Sequence, residues 1–458
     1  MKRGEYMADN HVKNVVDKNG ETTNRETFNS QIGFILACIG SAVGMGNIWM
    51  FPYRVGQFGG AAFLVPYFIF VLVIGFTGVI GEMSFGRAMG TGPLGAFKKA
   101  FERRSKKNGD LLGLIPVIGS LGIAIGYAVV VGWILRFTVG AITGTVTSTV
   151  DSAAYFGEIA GEFGSLGWHF AGLAITFIIM LMGVGKGIEK ANKVMMPAFF
   201  FLFIVLAIRV ATLPGAIEGY KYLFVPKWEF LKDPKTWVYA LGQAFFSLSL
   251  AGSGTVVYGS YLKKTEDIVA CAKHVAFFDT CAAMLAALVI IPSVFAFNMD
   301  PAAGPPLMFI TMPNVFKMMP MGQMFSILFF VAVLFAGISS LMNLFETPIE
   351  ALQQRFNLSR GTSVAIMAII GAGVGVMLES GDKLGAWMDV ISIYVIPLGA
   401  LLAGIVFFWV CGVKFAREQV QLGRGKEIGT WFEPMTKYVF CGLTIIVYIL
   451  GIFYGGIG

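Results

Sequence analysis

Eleven predominantly apolar stretches of about 20 residues or more follow one another along this 458-residue chain, and few folds can absorb that pattern. They cover 31–57, 60–88, 111–142, 167–185, 190–212, 236–262, 266–297, 321–356, 362–378, 385–412 and 432–454, numbered α1 to α11 in chain order. Each is long enough to cross a bilayer's hydrocarbon core, where only helices and closed barrels satisfy every backbone N–H and C=O. With 56% hydrophobic and 13% charged residues, the chain is expected to be an all-α, polytopic membrane protein. The segment "PPLMFITMPNVFKMM" (305–319) is too short to span and reads as a re-entrant or surface helix between α7 and α8.

The net charge of +7 does not form a single basic face. It is spread over the N-terminus, the loop "KKAFERRSKK" after α2, Lys186, Lys190 and Lys193, Lys263 and Lys264, Arg355 and Arg360, and Lys414, Arg417, Arg424 and Lys426. These are alternate loops, whereas 143–166 carries Asp151, Glu158 and Glu162 without a Lys or Arg. The pattern is that of membrane topology and not of nucleic-acid binding. It places the N-terminus in the cytoplasm, and eleven crossings of the plasma membrane then leave the C-terminus outside. The first 30 residues are polar and hold no leader-type apolar core, so α1 itself is expected to direct insertion. The five cysteines lie in apolar stretches without CxxC spacing and the three histidines are scattered, so neither disulfides nor zinc are expected.

Two stretches break the helical pattern. "SAVGMGNIWMFPYR" (41–54) interrupts α1, and "FFSLSLAGSGTVVYGSY" (245–261) interrupts α6. Glycines also permit close helix packing, which is the plainer reading of either stretch alone. Two breaks five helices apart, both flanked by Ser, Asn or Thr, point instead to a transporter with a binding site near mid-membrane. Unwinding frees carbonyls, which are hard donors for an alkali ion, and amides, which attract a carboxylate. A zwitterionic amino acid beside Na⁺ suits both.

These residues resemble the neurotransmitter:sodium symporter family, in particular its bacterial amino-acid transporters with the leucine-transporter fold. The likeness runs through "GSAVGMGNIWMFPYRVGQFGGAAFLVPY" (40–67), "GEMSFGR" (81–87), "FFSLSLAGSGTVVYGSYLKKTEDI" (245–268), "AGISSLMNLFETP" (336–348), and Tyr127 with Trp133. It implies a 5+5 inverted repeat: a cytoplasmic segment 1–30, repeats 31–212 and 236–412 joined by an extracellular loop 213–235, then a loop and α11 over 413–458. It further implies two sodium sites. The first uses the Ala42 carbonyl, Asn47, Ser247, Asp279 and the substrate carboxylate. The second uses carbonyls of Gly40, Val43 and Ala336 with the hydroxyls of Ser339 and Ser340. The substrate carboxylate is expected at the amides of Met45 and Gly46 and the hydroxyl of Tyr127. Ala42, Gly44, Ile123, Phe246, Ser247, Ser249, Gly252, Ser340 and Leu344 complete the substrate set. Gly44 stands where monoamine carriers of the family have an aspartate, which favours an α-amino acid. Gly252 stands where the leucine transporter has a bulky aromatic, which favours a larger side chain.

The resemblance is broken at several positions. Asp279 stands where many relatives have asparagine, so the chain supplies its own negative charge and chloride is not expected; a protonated structural carboxyl is the alternative. Met50 replaces an outer-gate arginine. Arg54, one turn on, either takes over that role with Asp389 in α10 or only snorkels to the interface. At the inner gate Arg25 and Tyr261 match the family, but the expected acid is Gln354, so Arg25 meets Glu346 or Glu350, or has no ionic partner. Gly187 and Pro197 give α5 a spacing that in some relatives lets its inner half unwind, and Glu82 reads as a structural acid within α1, α2 and α6.

The expected function is sodium-coupled uptake of a neutral, hydrophobic or aromatic L-amino acid by alternating access. A carrier of another carboxylated amine, or a sensor that binds without transport, is the alternative. Two Na⁺ with a zwitterion carry two charges, worth about 4.6 kcal/mol per 100 mV, or over about three decades of accumulation. No nucleophile elbow, HExxH or metal-ligand cluster suggests an enzyme, and the two non-identical breaks do not suit the symmetric ring of a channel. The expected partners are the amino acid, sodium and lipid, with no nucleic acid; the oligomeric state is left open.

Overall fold

The computed structural model describes residues 26–302 and 307–457, preceded by the backbone of a two-residue strand pair, Val15–Val16 against Thr22–Thr23. All eleven apolar stretches are helical. Eight of them are long and apolar enough to span a membrane: Ala61–Met89 (α2), Gly109–Ile142 (α3), Val184–Ala211 (α5), Ile268–Ala296 (α7), Gly322–Phe356 (α8), Arg360–Met377 (α9), Gly381–Val410 (α10) and Phe432–Tyr454 (α11). α1 makes a ninth if its halves, Gln31–Ala42 and Gly46–Gln57, are one span bent by 52°. The remaining two are the shorter α4, Leu166–Leu181, and the broken α6, Pro234–Ser247 with Gly254–Ser260. The largest boundary shift is in α5, which starts at Val184 on a π-helical turn, six residues before the stretch read from the sequence. The short helix between α7 and α8 covers Thr311–Met318; residues 305 and 306 of the segment read there lie outside the described residues.

The apolar helices pack as a bundle in which α8 lies along α3, and α1 is sandwiched by α5, α7 and α8. Capping side chains mark several helix starts: Ser30 for α1, Asp233 for α6, Asp267 for α7, Ser359 for α9 and Ser380 for α10 each accept a first-turn N–H. Ordinary helix chemistry fails in two places. In α1, Val43 is extended and the outer half restarts on a π-helical turn, Gly46–Met50, that runs directly into Phe51–Gln57. In α6, the chain leaves the helix at Leu248, and both Ser249 (φ +53°) and Gly252 (φ +65°) take left-handed backbone. Glycine adopts that region freely; serine is strained there, as residues at binding sites often are. The freed Gly252 N–H is satisfied by the buried Glu82 carboxylate at 2.8 Å, so Glu82 holds the break open from α2.

Candidate functional site

The two breaks face each other across a cavity lined mostly by apolar groups. Its wall includes Ala42, Gly44, Met45 and Gly46 from α1, Ile123 and Tyr127 from α3, Phe246 and Ser249 from α6, and Ser340 and Leu344 from α8. Ten of the residues expected around a substrate therefore line one cavity. Two expected there do not. Ser247 turns away towards α7, and Gly252 turns towards α10, where a side chain would run into the Gly399 carbonyl and Ala403. The room that the missing aromatic was expected to free is filled by α10. Sequence reasoning missed Ser41, Leu250, Ala251, Ser253, Gly254, Asn343 and Ile396, which also border the cavity. For Asn343 a signal existed: an amide in an apolar helix, one residue before Leu344.

At the α1 side the Tyr127 hydroxyl accepts the Met45 N–H at 3.0 Å. Gly44 is hemmed in: a β-carbon there would stand 2.6 Å from Ser340 Oγ and 2.8 Å from the Tyr127 hydroxyl. An amide, a phenol and a serine hydroxyl thus converge on a spot that only glycine leaves open, which suits a carboxylate.

Behind Gly44 lies a buried oxygen cluster. Asp279 has no exposed surface, and no ion pair among the described residues includes it. Asn47 Nδ2 donates to its Oδ1 at 2.8 Å and to its backbone carbonyl at 3.1 Å, and Ser247 Oγ donates to its Oδ2 at 2.7 Å. Asn47 Oδ1 in turn accepts the Gly44 N–H at 3.1 Å. Of the expected first-site donors, Asn47, Ser247 and Asp279 are in mutual contact beside the α1 break that follows Ala42. A carboxylate, a hydroxyl, an amide oxygen and backbone carbonyls are all hard donors, the set an alkali ion takes. A buried carboxylate without a cation is costly, and a bound cation removes that cost.

The second expected set also assembles. Ser339 Oγ donates to Gly40 O at 2.9 Å and Ala336 O at 3.0 Å; Ser340 Oγ donates to Gly40 O at 3.2 Å and Val43 O at 3.1 Å. Five oxygens from α1 and α8 meet there, all without formal charge.

Two side-chain clusters lie further along the helices on either side of the cavity. At one end Phe309, fully buried, packs against Trp49, Trp133, Phe137 and Phe156 with ring centroids 4.9–6.0 Å apart. Arg54 is at this end, but its expected pairing with Asp389 is not made. Its guanidinium stacks on Tyr239 at 4.2 Å and donates to Gln57 at 3.1 Å. Asp389 points outward, because Trp387 and Met388 occupy the inward face of that turn, with Trp387 donating to Gly122 O at 2.8 Å. One residue further is about 100° around the helix.

At the other end, where the basic loops lie, Tyr261 donates its hydroxyl to Glu346 at 2.8 Å. Glu346 is fully buried and forms a two-pronged pair with Arg360, both bonds 2.9 Å, and Arg360 reaches Glu26 at 3.2 Å. Phe28 packs edge-on against Tyr261 and Tyr258. Arg25 lies outside the described residues. Among the described residues the cation that Glu346 holds is Arg360 from α9, which sequence reading had used only as a topology marker. Removing one member of a buried, two-pronged pair costs about 3 kcal/mol at the low end, and Glu26 still partners Arg360. Glu346→Gln is therefore expected to lower the thermal midpoint of the purified protein clearly, with Glu346→Gln/Arg360→Met recovering part of the loss. Equal midpoints for wild type and Glu346→Gln would show that the pair does not hold this end.

The chain matches the Sodium:neurotransmitter symporter family over residues 25–156 and 156–454. It is 34% identical over 443 residues to YhdH, an uncharacterized sodium-dependent transporter of Bacillus subtilis (strain 168), covering 92% of this chain and 96% of that protein. It is 29% identical over 307 residues to the sodium-dependent neutral amino acid transporter SLC6A17 of Mus musculus, covering 60% of this chain and 42% of that longer protein. Among solved structures, the crystal structure of MhsT in complex with L-phenylalanine superposes with a TM-score of 0.84 at 33% identity, covering 93% of this chain and all of that one.

Proposed function

The chain belongs to the sodium:neurotransmitter symporter family, and from that premise we propose that it carries a neutral, hydrophobic or aromatic L-amino acid into the cell together with sodium. That it is a sodium-dependent transporter in a membrane follows from the family; the substrate, the two sodium sites and the direction of transport are our reading. The observation that carries it is the meeting of the two breaks. The convergence of Met45 N–H, Tyr127 and Ser340 on Gly44 supports a carboxylate there, and Asp279, Asn47 and Ser247 stand directly behind. A bound amino acid then completes the sodium shell with its own carboxylate, so ion and solute each raise the other's affinity. The proposed topology puts the Glu346–Arg360 network on the cytoplasmic side and the Phe309 cluster outside. Opening one seal while the other holds is alternating access.

The apolar walls fit a large side chain, and MhsT was crystallised with L-phenylalanine. One wall residue is polar at its tip: Asn343 is buried, its Oδ1 lies against Gly254, and its side chain meets the Tyr258 hydroxyl. An amide nitrogen has two donors, so a substrate with a polar group at the end of an aromatic ring can bond it beside Tyr258. Asn343→Leu is expected to weaken tyrosine binding about tenfold while changing phenylalanine binding little, because only tyrosine brings a group for the amide to bond. Competition binding reads this directly, and parallel losses for both amino acids would remove Asn343 from the specificity set.

The function itself is tested by reconstitution. Proteoliposomes with an inward sodium gradient and a negative interior are expected to concentrate a labelled neutral amino acid above the outside level, saturably. Potassium in place of sodium should abolish this. Uptake that merely equilibrates, or is indifferent to sodium, would refute symport.

A further inference from the structure

Away from the two breaks, a groove opens between α10 and α11 at the end of the bundle that carries the basic loops. Its walls include Ile405 and Trp409 of α10 and Lys437, Tyr438, Gly442 and Ile445 of α11. Gly442 makes the notch: a β-carbon there would meet nothing within 4 Å. From Lys437 to Ile445 the helix rises about 12 Å, so the groove is polar at its mouth and apolar along its length. The mouth is cationic. Lys437 Nζ lies 4.4 Å from the Trp409 ring centre and 5.3 Å from that of Tyr438, while the Trp409 indole N–H donates to Lys437 O at 3.1 Å. The two rings hold the ammonium in place, and no hydrogen bond among the described residues uses its three donors. Arg104, from the loop after α2, donates to Val410 O at 2.6 Å, and Arg103 stacks on Phe415 at 3.9 Å. Glu433, one turn before Lys437, faces Arg417 at 3.7 Å. Among the described residues, no ion pair includes Lys437, Arg103 or Arg104.

We propose that this groove binds an anionic phospholipid of the surrounding bilayer, with its phosphate on Lys437 and one acyl chain along Gly442 and Ile445. The charge selects the headgroup. Cations gathered without carboxylates leave a positive rim, and a zwitterionic headgroup brings an ammonium of its own that this rim does not match. Under the proposed topology the rim faces the cytoplasmic leaflet, whose surface potential is negative. The notch selects a lipid over a soluble anion, because only an acyl chain gains from apolar walls. A lysine that snorkels and a tryptophan in the interfacial belt account for either residue alone. They do not account for the two stacked on each other at the mouth of an open notch. The site needs neither sodium nor the amino acid, and it joins the end of α10 to the start of α11 from outside the bundle.

Trp409 supplies the readout. The purified full-length protein is reconstituted in phosphatidylcholine vesicles with rising fractions of brominated phosphatidylglycerol or, in a second series, of brominated phosphatidylcholine, since bromine quenches a neighbouring indole. The Trp409 signal is the difference between each protein with and without Trp409→Phe. Phosphatidylglycerol is expected to half-quench it at about fivefold lower mole fraction than phosphatidylcholine, the scale of one basic residue at an anionic surface. Lys437→Gln should bring the two fractions together. Gly442→Leu fills the notch and should reduce quenching by both lipids; it sits in open space, and leucine favours a helix more than glycine does. A diffuse attraction between the basic loops and anionic lipid predicts a preference that survives Lys437→Gln and quenching that Gly442→Leu leaves unchanged. Either result would overturn the proposal, as would a wild type quenched equally by the two lipids. If Gly442→Leu does not fold, Lys437→Gln decides alone. Excess inorganic phosphate should displace nothing; displacement would assign the rim to a soluble anion and overturn the lipid.

Discussion

Asp279→Ala is expected to raise the sodium concentration needed for half-maximal substrate binding by about two to three decades, the scale set by a unit charge about 4 Å from an ion at an effective dielectric constant near 20. Asp279 provides the charged group of the first candidate site, fully buried, with its two oxygens held by Asn47 and Ser247. Truncation removes the charge that balances the cation and the acceptor of the Ser247 hydroxyl, while Asn47 Nδ2 keeps the backbone carbonyl of residue 279. Asp279→Asn separates the two effects: it keeps the shape and one acceptor oxygen, which can face Asn47, while its NH2 can donate to the Ser247 hydroxyl, and the charge is lost. Its sodium affinity should fall less, and binding should begin to respond to chloride, which wild type is expected not to need. Sodium titrations of labelled-substrate binding, in chloride and in gluconate, read all three proteins. Unchanged half-saturation in both variants would mean that Asp279 is a structural acid.

Gly44→Asp is expected to abolish amino-acid binding, by more than about a hundredfold. A β-carbon at Gly44 has no free space between Ser340 Oγ and the Tyr127 hydroxyl, at 2.6 and 2.8 Å. The carboxylate beyond it would occupy the place proposed for the substrate's own and repel it. Gly44→Ala carries only the steric part, and is expected to weaken binding about tenfold, the equivalent of mild overpacking. The order wild type, Ala, Asp is the diagnostic. Equal effects of Ala and Asp would show a crowded site that does not recognise an anion. The thermal midpoint without ligand checks that each variant is folded.

The sequence carried the membrane architecture because the bilayer demands continuous apolar runs, and α1 to α11 stand out on that ground alone. The breaks were legible for a related reason. Gly44 and Gly46 in α1, and Gly252 and Gly254 in α6, occur beside Ser and Asn where a spanning helix has no use for them. Asp279 was legible as a carboxylate in an apolar run. What the sequence hid depends on rotation and on distant partners. Asp389 and Trp387 are two residues apart, and which of them faces inward is decided by how α10 packs on Gly122 and Gly126 of α3. Gly252 was read as an empty place in the cavity wall, but its positive φ turns it to Gly399. Arg360 meets Glu346 across the α8–α9 turn, a partnership no spacing rule predicts.

The central claim, that two interrupted helices hold sodium beside an amino acid's carboxylate, is tested most directly by equilibrium binding to the purified protein. A panel of labelled neutral L-amino acids is titrated in sodium and in potassium at equal ionic strength, with each corresponding decarboxylated amine as competitor. The account predicts saturable binding of at least one large amino acid in sodium, negligible binding in potassium, and no competition from the amine. Binding of equal strength in the two salts, or displacement by an amine that lacks the carboxylate, would contradict it.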